Sequence, residues 1–275
     1  MTDVTHSRVS GPGLGLVDIG ANLTHDSFDA DRAEVIARAH KAGVGRFVVT
    51  GSDAAHSHMA VELCKEYPGL YATAGVHPHH AKDCNASTPE ELRGLLGYSS
   101  VVAAGECGLD YFRNFSPPDV QRSVFEMQLK LAEECGKPVF LHQRDAHGDF
   151  MRILGQYRPR LSRAVVHCFT GDVAELKGYL SLDCHIGITG WICDERRGQH
   201  LRECVGLIPA DRIMLETDAP YLIPRDLKPR PHRNEPMYLK HIAEVVAACL
   251  GKPVLQLIHE TTRNAEAFFG MPAVG

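Results

Sequence analysis

Carboxylate and imidazole side chains recur directly after short apolar runs of this sequence. The four at the ends of such runs that could share a cation are Glu106, His142, His167 and Asp218. Singly, each has a simpler explanation, because a histidine at a strand end usually forms hydrogen bonds and an aspartate favours turns. Gathered at one place without a cation, they would carry a large cost of buried charge. We therefore expect all four to be metal ligands, with Glu106 and Asp218 as catalytic residues.

The types of ligand atom limit which metal ions could bind, but they do not identify one ion. Mixed nitrogen and oxygen ligands suit Zn²⁺, Mn²⁺ or Fe²⁺, and several carboxylates with few histidines also allow Mg²⁺. Cys107 and Cys168 stand next to two of the predicted ligands. Neighbouring residues of a strand point to opposite sides, so we interpret both cysteines as packing groups.

The apolar runs before these side chains are typical of strands buried on both faces of a parallel sheet. They lie near residues 16–19, 46–50, 70–75, 101–105, 138–141, 164–167, 184–188 and 212–215. About eight strand–helix units predict an α/β fold, a (β/α)₈ TIM barrel, in which the carboxyl ends of the strands meet at one rim. A doubly wound open sheet is the alternative, although no Gly-x-Gly-x-x-Gly sequence follows a predicted strand.

Two of the connecting stretches carry clear helix signals. Ser116 is predicted to cap a helix that begins near Pro117, and apolar residues then recur on one helix face. These residues are Val120, Val124, Met127 and Leu131. A second helix is predicted from about residue 253 to residue 269, and it ends at Gly270, a residue favoured just after a helix.

The composition bears on domain count and cellular setting. The chain has 275 residues, and we expect a flexible Gly-, Ser- and Thr-rich tail at 1–15 followed by a single barrel domain at 16–275. A net charge of −5 excludes a uniformly basic nucleic-acid coat but permits a local basic patch. Nine cysteines without a Cys-x-x-Cys pair fit reduced thiols. Because we see neither a membrane-spanning apolar run nor a secretory signal pattern, we expect a cytoplasmic protein.

Basic and aromatic residues near the predicted rim favour an anionic substrate. Residues 224–236 form a proline-rich loop after the last strand and contain three arginines and one lysine. Barrels often bind phosphate at this position. A solvated charged loop is the simpler alternative. Trp191, the single tryptophan, could stack on a nucleobase, an interaction worth ~1–3 kcal/mol, or anchor the packing. The residues predicted to bind substrate are His77, His79, Arg113, Arg144, Trp191, Arg225 and Arg233.

Taken together in this order and spacing, these segments resemble the TatD-type metal-dependent deoxyribonucleases, within the wider superfamily of amidohydrolase-like metal-dependent hydrolases. The resemblance extends over residues 16–270, and the segments that carry it are 74–79, 105–110, 142–146, 167–171 and 216–221. Two further segments, 187–198 and 233–236, are similar to the nuclease subgroup rather than to its paralogues. The resemblance implies that Glu106, His142 and His167 ligate the metal, and that Asp218 holds a metal or activates the attacking water.

The activity that the resemblance implies is Mg²⁺-dependent 3′–5′ exonuclease action on single-stranded DNA and on RNA. Mn²⁺ or Zn²⁺ are alternative ions. The implied setting is the cytoplasm, with a role in repair of oxidised DNA, and we expect a monomer with no membrane and no obligate protein partner. Many members of the family carry His-x-His after the first strand as ligands of a second metal, and this sequence has Gly20 and Asn22 there. The nuclease subgroup shares this form. The departure therefore argues against a complete two-metal site, but it does not argue against activity.

The mechanism that fits these residues is metal-assisted phosphodiester hydrolysis. The ion would polarise a phosphoryl oxygen, and Asp218 would orient or deprotonate the attacking water. His77 and Arg144 would stabilise the phosphate charge that develops during attack. Two alternatives stay open. One is a deacylase that acts on aminoacyl-tRNA or a small amide or ester. The other is a non-catalytic nucleic-acid-binding protein on a barrel that has lost its activity.

Overall fold

Eight parallel strands form a nearly closed barrel in the computed structural model, which describes residues 15–273. The strands are hydrogen-bonded in chain order from β1 to β8. This order confirms the predicted TIM barrel and excludes the doubly wound alternative, whose strand order reverses. The strands are β1 (Leu16–Ala21), β2 (Val44–Val49), β3 (Leu70–Ala74), β4 (Val101–Asp110), β5 (Val139–Arg144), β6 (Ala164–Val166), β7 (His185–Ile188) and β8 (Ile213–Leu215). The flexible tail predicted for residues 1–15 falls, apart from Gly15, outside the described residues.

Helices surround the barrel and cover the outer faces of its strands. They are α1 (Arg32–Lys41), α2 (Ala54–Glu66), α3 (Thr88–Leu96), α4 (Pro118–Cys135), α5 (His147–Tyr157), α6 (Val173–Ser181), α7 (Gln199–Cys204), α8 (Leu239–Leu250) and α9 (Val254–Phe269). On α4, Val124 and Leu131 are buried and Val120 and Met127 pack against the core, as the predicted apolar face requires. α9 ends at Gly270, whose φ of 66° is the left-handed conformation favoured there.

The predicted cap of α4 is wrong. Pro117 occupies the cap position and Ser116 makes no cap hydrogen bond. The Ser116 hydroxyl instead donates to the carbonyl oxygen of His79 and accepts from the amide of Lys82, both at 3.0 Å. The Ser116 hydroxyl therefore bonds to a distant part of the chain instead of capping α4. These two hydrogen bonds link the start of α4 to the segment after β3.

β4 runs five residues beyond its predicted end and carries Glu106 and Asp110 within the sheet. Two glycines make this possible, because Gly105 and Gly108 have φ of 137° and 146°. A Cβ on either would collide with a carbonyl oxygen of β5, that of Phe140 or of His142. The missing side chains let the end of β4 lie directly against β5, which brings Glu106 close to His142.

The seam between β1 and β8 closes at the carboxyl ends of the two strands. The amide of Asp218 donates to Gly20 and the amide of Asn22 donates to Ala219, both at 2.8 Å. Asp18 completes the seam with its side chain. Asp18 is fully buried, and the amide and hydroxyl of Thr217 donate to it at 2.9 and 2.5 Å.

We predict that Asp18→Asn flattens the pH dependence of stability. Burial raises the pKa of Asp18 from 3.8 to about 8, despite hydrogen bonds from Thr217. The folded protein thus retains a proton that the unfolded chain releases, so stability falls as pH rises between these two values. An asparagine has no proton to lose, and its amide can donate to the Thr217 hydroxyl. With chelator present, the Tm loss between pH 5 and pH 9 should be smaller for the variant by about 5 °C. Equal losses would contradict the assignment.

Within residues 15–273 no single helix has the length and apolarity needed to cross a membrane. One pair, Pro236–Leu250 and Val254–Phe269, reaches those limits together, with a bend of 109° between its members. The nine cysteines all lie in the described region and form no disulfide there.

Candidate metal centre and substrate rim

Three imidazoles converge on one carboxylate oxygen at the carboxyl-end rim of the barrel. Glu106 Oε1 lies 2.6 Å from His167 Nε2 and 2.9 Å from His142 Nδ1. Nε2 of the third imidazole, His77, is 3.3 Å from the same oxygen. Ligand atoms of His77, Glu106 and His142 lie within 4.8 Å of one another, a spacing that one cation can bridge. Adjacent strands therefore bring three of the four predicted ligands together, and His77, predicted as a substrate contact, lies among them.

Glu106 and His167 form a buried charged pair. Burial by itself disfavours a carboxylate, but the imidazoles of His167, His77 and His142 together outweigh it and hold the pKa of Glu106 well below its usual range. Burial likewise disfavours a charged imidazole, and the carboxylates of Glu106 and Glu216 overcome it to raise the pKa of His167 well above its usual value. A cation ligated by His167 must displace this proton, because only the neutral imidazole binds metal.

His142 offers a nitrogen for which the described residues provide no hydrogen bond. Its Nε2 is buried and lacks such a partner, although Asp110 Oδ2 lies 3.5 Å away. Asp110 is held more closely by His79 Nε2 at 2.7 Å and by the amide of Arg113 at 2.8 Å. Buried polar atoms without partners are rare and call for an explanation. A metal ion or a substrate oxygen next to His142 would supply one.

The proton of His77 is positioned by the backbone. The amide of His79 donates to His77 Nδ1 at 3.1 Å. Since an amide N–H can only donate, Nδ1 is the acceptor and a neutral His77 carries its hydrogen on Nε2. Burial lowers the pKa of His77 well below its ordinary value and keeps the ring neutral. In this tautomer His77 is a hydrogen-bond donor at Nε2 rather than a ligand.

Gly20 and Asn22, which stand where other members of the family have His-x-His, both have structural roles. Asn22 Nδ2 donates to Asp218 Oδ1 at 3.0 Å. A Cβ at Gly20 would collide with the carboxylate of Glu216 and lie 3.2 Å from the ring of Phe140. A histidine at position 20 therefore does not fit while Glu216 keeps its place. Burial raises the pKa of Asp218 to about 7, against the opposing influence of His167.

Glu216 is a site residue that the sequence analysis did not select. It is fully buried, lies 3.4 Å from His167 Nδ1 through Oε2 and accepts from the amide of Cys168 through Oε1. A carboxylate behind a ligating histidine orients the ring and increases its basicity. Its position directly after β8 and two residues before Asp218 was the available signal. Of the two flanking cysteines, Cys107 packs in the core as interpreted, whereas the half-buried Cys168 has its sulfur 4.0 Å from Thr189 Oγ1.

These donors fit a divalent cation. They combine a buried carboxylate, imidazoles on two adjacent strands and one imidazole nitrogen without a hydrogen bond. Mixed nitrogen and oxygen ligands of this kind are used for Zn²⁺, Mn²⁺ and Fe²⁺, and oxygen-rich variants for Mg²⁺. The ligand types alone do not separate these ions.

Two of the predicted substrate residues flank an exposed aromatic ring on the same rim. The Arg144 guanidinium lies 4.3 Å and that of Arg113 lies 5.7 Å from the ring centroid of Phe112. Phe112 and Phe115, which the sequence analysis did not select, have 54% and 55% of their surface exposed. Their signal in the sequence was a group of aromatic residues around Arg113 directly after β4, with the sequence Tyr111-Phe112-Arg113-Asn114-Phe115.

Trp191 and Arg144 line one cavity of about 210 Å³. Arg197 and His200 belong to the same lining, and neither was among the residues predicted to bind substrate. Trp191 is only partly buried and also packs against the core. The two interpretations of Trp191 are thus compatible, since one face of the ring can anchor while another borders the cavity.

Arg233 and Arg225 bind neighbouring protein groups. Arg233 Nη2 contacts Asp31 Oδ1 at 2.7 Å and Glu235 Oε1 at 3.1 Å, and its guanidinium lies 4.7 Å from the ring of Phe28. Arg225 Nε lies 3.6 Å from Asp194 Oδ2. Arg233 thus links the segment after β8 to the segment before α1, and the predicted contact of both arginines with substrate stays a prediction.

Comparison with known proteins agrees with this fold. The profile of the family described as TatD related DNase matches residues 17–270. The chain belongs to this family. A relative from Erwinia amylovora, named 3′-5′ ssDNA/RNA exonuclease TatD, is 52% identical over 259 residues, which are 93% of this chain and all of that protein. The TatD resemblance of the sequence is therefore confirmed.

Solved structures of TatD and amidohydrolase proteins share the barrel. YJJV, a TatD homologue from Escherichia coli K12, superposes with a TM-score of 0.87 at 28% identity, over 94% of this chain and 99% of that one. An uncharacterised amidohydrolase from Saccharomyces cerevisiae superposes with a TM-score of 0.76 at 26% identity, over 92% and 99% of the two chains. These likenesses place the TatD family chain within the amidohydrolase-like barrels, as predicted.

Proposed function

We propose that this protein is a metal-dependent exonuclease that removes nucleotides from the 3′ end of single-stranded DNA and RNA. The observation that carries the proposal is the convergence of His77, His142 and His167 on the Glu106 carboxylate, at a rim that also bears Arg113 and Arg144. The name of the Erwinia amylovora relative supports the substrate and the polarity. A role in repair of oxidised DNA and a cytoplasmic location are further parts of the proposal.

In this proposal Glu106, His142, His167 and Asp218 hold the cation, with Mg²⁺ as the working ion. When bound, the cation supplies Lewis-acid stabilisation of phosphoryl charge and lowers the pKa of water. Asp218 accepts the proton of the attacking water, because a carboxylate held beside the cation is placed for general-base work.

The remaining groups stabilise the phosphate charge or orient the side chains of the site. His77 donates its Nε2 hydrogen to a phosphoryl oxygen, because its tautomer is set by the amide of His79. Asp110 positions His79 through the contact of 2.7 Å. Glu216 holds the His167 ring in the ligating orientation.

The test uses metal-stripped protein and a single-stranded oligonucleotide with a 5′ label. Mg²⁺, Mn²⁺ and Zn²⁺ are added separately, and we expect a ladder that shortens from the 3′ end only in the presence of metal. The same strand annealed to its complement is the control and should be degraded more slowly. Internal cuts would contradict the exonuclease assignment. An intact oligonucleotide with every ion would leave the deacylase and the non-catalytic binder, which an aminoacyl-tRNA substrate and a binding assay then separate.

A further inference from the structure

The loop between β4 and α4 exposes two aromatic rings beside the site. Phe112 and Phe115 each leave more than half of their surface in solvent. Apolar side chains of this size usually pack against the core, as Phe125, Phe140 and Phe150 do here. Exposed aromatics next to a charged cleft are instead typical of surfaces that bind a ligand.

Unpaired positive charge lies beside the Phe112 ring. The guanidinium groups of Arg113 and Arg144 lie over the Phe112 ring and, among residues 15–273, neither forms an ion pair. Other rim arginines do, for example Arg233 with Asp31. Arginines without a carboxylate partner attract phosphate, and their planar groups also stack on aromatic faces.

A continuous series of rings connects the loop with the metal centre. The ring centroids of Phe115 and His79 are 4.8 Å apart, and those of His79 and His77 are 4.2 Å apart. His77 Nε2 in turn lies 3.3 Å from Glu106 Oε1. A nucleic-acid strand with its reacting phosphate at Glu106 can therefore reach Phe115 and then Phe112 along the rim without leaving the surface.

We infer that Phe112, Arg113, Phe115 and Arg144, here called the aromatic shelf, bind the part of a single strand that extends away from the reacting phosphodiester. The rings stack on its nucleobases, and the two arginines contact its phosphates. This inference rests on the proposed nuclease function and adds a binding subsite to it. The combination of a stacking surface with positive charge is the usual solution for single strands, because every base offers a π-face.

The aromatic shelf gives a physical reason for a preference for single strands. In a duplex the faces of each base are covered by its neighbours in the stack, so exposing one face costs unstacking energy. A single strand can splay its bases onto the rings at little cost. Substrates long enough to reach the aromatic shelf should therefore gain affinity, whereas a paired strand gains none from it.

The test compares Phe112→Ala, Phe115→Ala and the double variant with the wild type on two substrates, a twelve-nucleotide strand and a dinucleotide. The ratio of kcat/KM for the long substrate to that for the short one should fall about tenfold for each ring removed. Phe112→Tyr and Phe115→Tyr keep a stacking ring and should retain the ratio. Tyr98→Ala is the matched control, because Tyr98 is 47% exposed but precedes β4 at the opposite end of the barrel.

Two further measurements separate stacking from a structural effect. A strand with 2-aminopurine at one position at a time should show quenched fluorescence on binding, at positions that lose the quenching in the double variant. An abasic strand should bind wild type and double variant equally. An unchanged ratio in the double variant while the wild type degrades the long strand would overturn the aromatic shelf and leave the nuclease proposal intact. A wild type that degrades neither substrate would instead overturn the nuclease proposal.

Discussion

His142→Ala is expected to lower kcat about a thousandfold and to weaken cation binding, while the barrel stays folded. The variant removes the imidazole whose Nδ1 lies 2.9 Å from Glu106 and whose Nε2 has no hydrogen bond among the described residues. Loss of a ligand forfeits several kcal/mol of charge stabilisation, and each 1.36 kcal/mol is tenfold in rate. The measurements are single-turnover kinetics, metal content after equilibrium dialysis, and Tm with chelator present.

His80→Ala is the matched control for this prediction. His80 lies in the histidine-rich segment that also holds His77 and His79, but its side chain is 44% exposed and its acidic partner Asp83 is 3.7 Å away. This variant should keep both its turnover and its metal content. If His142→Ala retained turnover and bound metal as the wild type does, His142 would not be a ligand. A loss of turnover with full metal content would make it a substrate contact instead.

Position at strand ends made most of the candidate metal centre predictable. The carboxyl ends of parallel strands must meet at one rim, so polar residues that directly follow apolar runs can be assigned to one place before their distances are known. This reasoning found Glu106, His142 and His167, which the structure brings within contact of one another. It kept His77 apart from the ligands, but it could not give the tautomer of this ring, because the amide that fixes it belongs to the turn after β3.

The contacts that sequence reasoning did not anticipate depend on partners distant in the chain. Arg233 was predicted to bind substrate, and no pattern in the sequence indicated that its guanidinium also binds Asp31, which is 202 residues away. Ser116 had the pattern of a helix cap, and a carbonyl oxygen 37 residues away took its hydroxyl instead. Local patterns define which groups a segment offers, whereas the fold decides which of several suitable partners is in reach.

The departure at positions 20 and 22 illustrates the same dependence. From the sequence, Gly20 and Asn22 were missing ligands of a second metal. In the structure Gly20 leaves space for the Glu216 carboxylate, and Asn22 donates to Asp218. Where other members of the family have the histidine pair, this site has the Glu216 carboxylate behind His167 and the Asn22 amide that orients Asp218. A standard amidohydrolase pair cannot be restored here by substitution at position 20 alone.

Asp218→Asn is expected to lower kcat by about a hundred- to ten-thousandfold, the usual contribution of a general base. Asparagine has the same shape and retains an oxygen for the hydrogen bond from Asn22, so the local structure should persist. It cannot accept a proton, and it removes a buried negative charge from the site. The variant should bind a single strand as tightly as the wild type, measured by fluorescence anisotropy, while single-turnover cleavage is lost.

Titration with excess cation separates the two roles proposed for Asp218. If its main contribution were ligation, saturating Mg²⁺ should restore most of the rate of Asp218→Asn, as weak binding is overcome by mass action. If it accepts the proton, no concentration of cation replaces that function, and we expect no recovery. Asn22→Ala supplies the intermediate case, since it removes only the 3.0 Å hydrogen bond that orients the carboxylate and should cost less than the loss of the carboxylate itself. Wild-type cleavage by Asp218→Asn at ordinary Mg²⁺ would remove Asp218 from both roles and require another group to accept the proton.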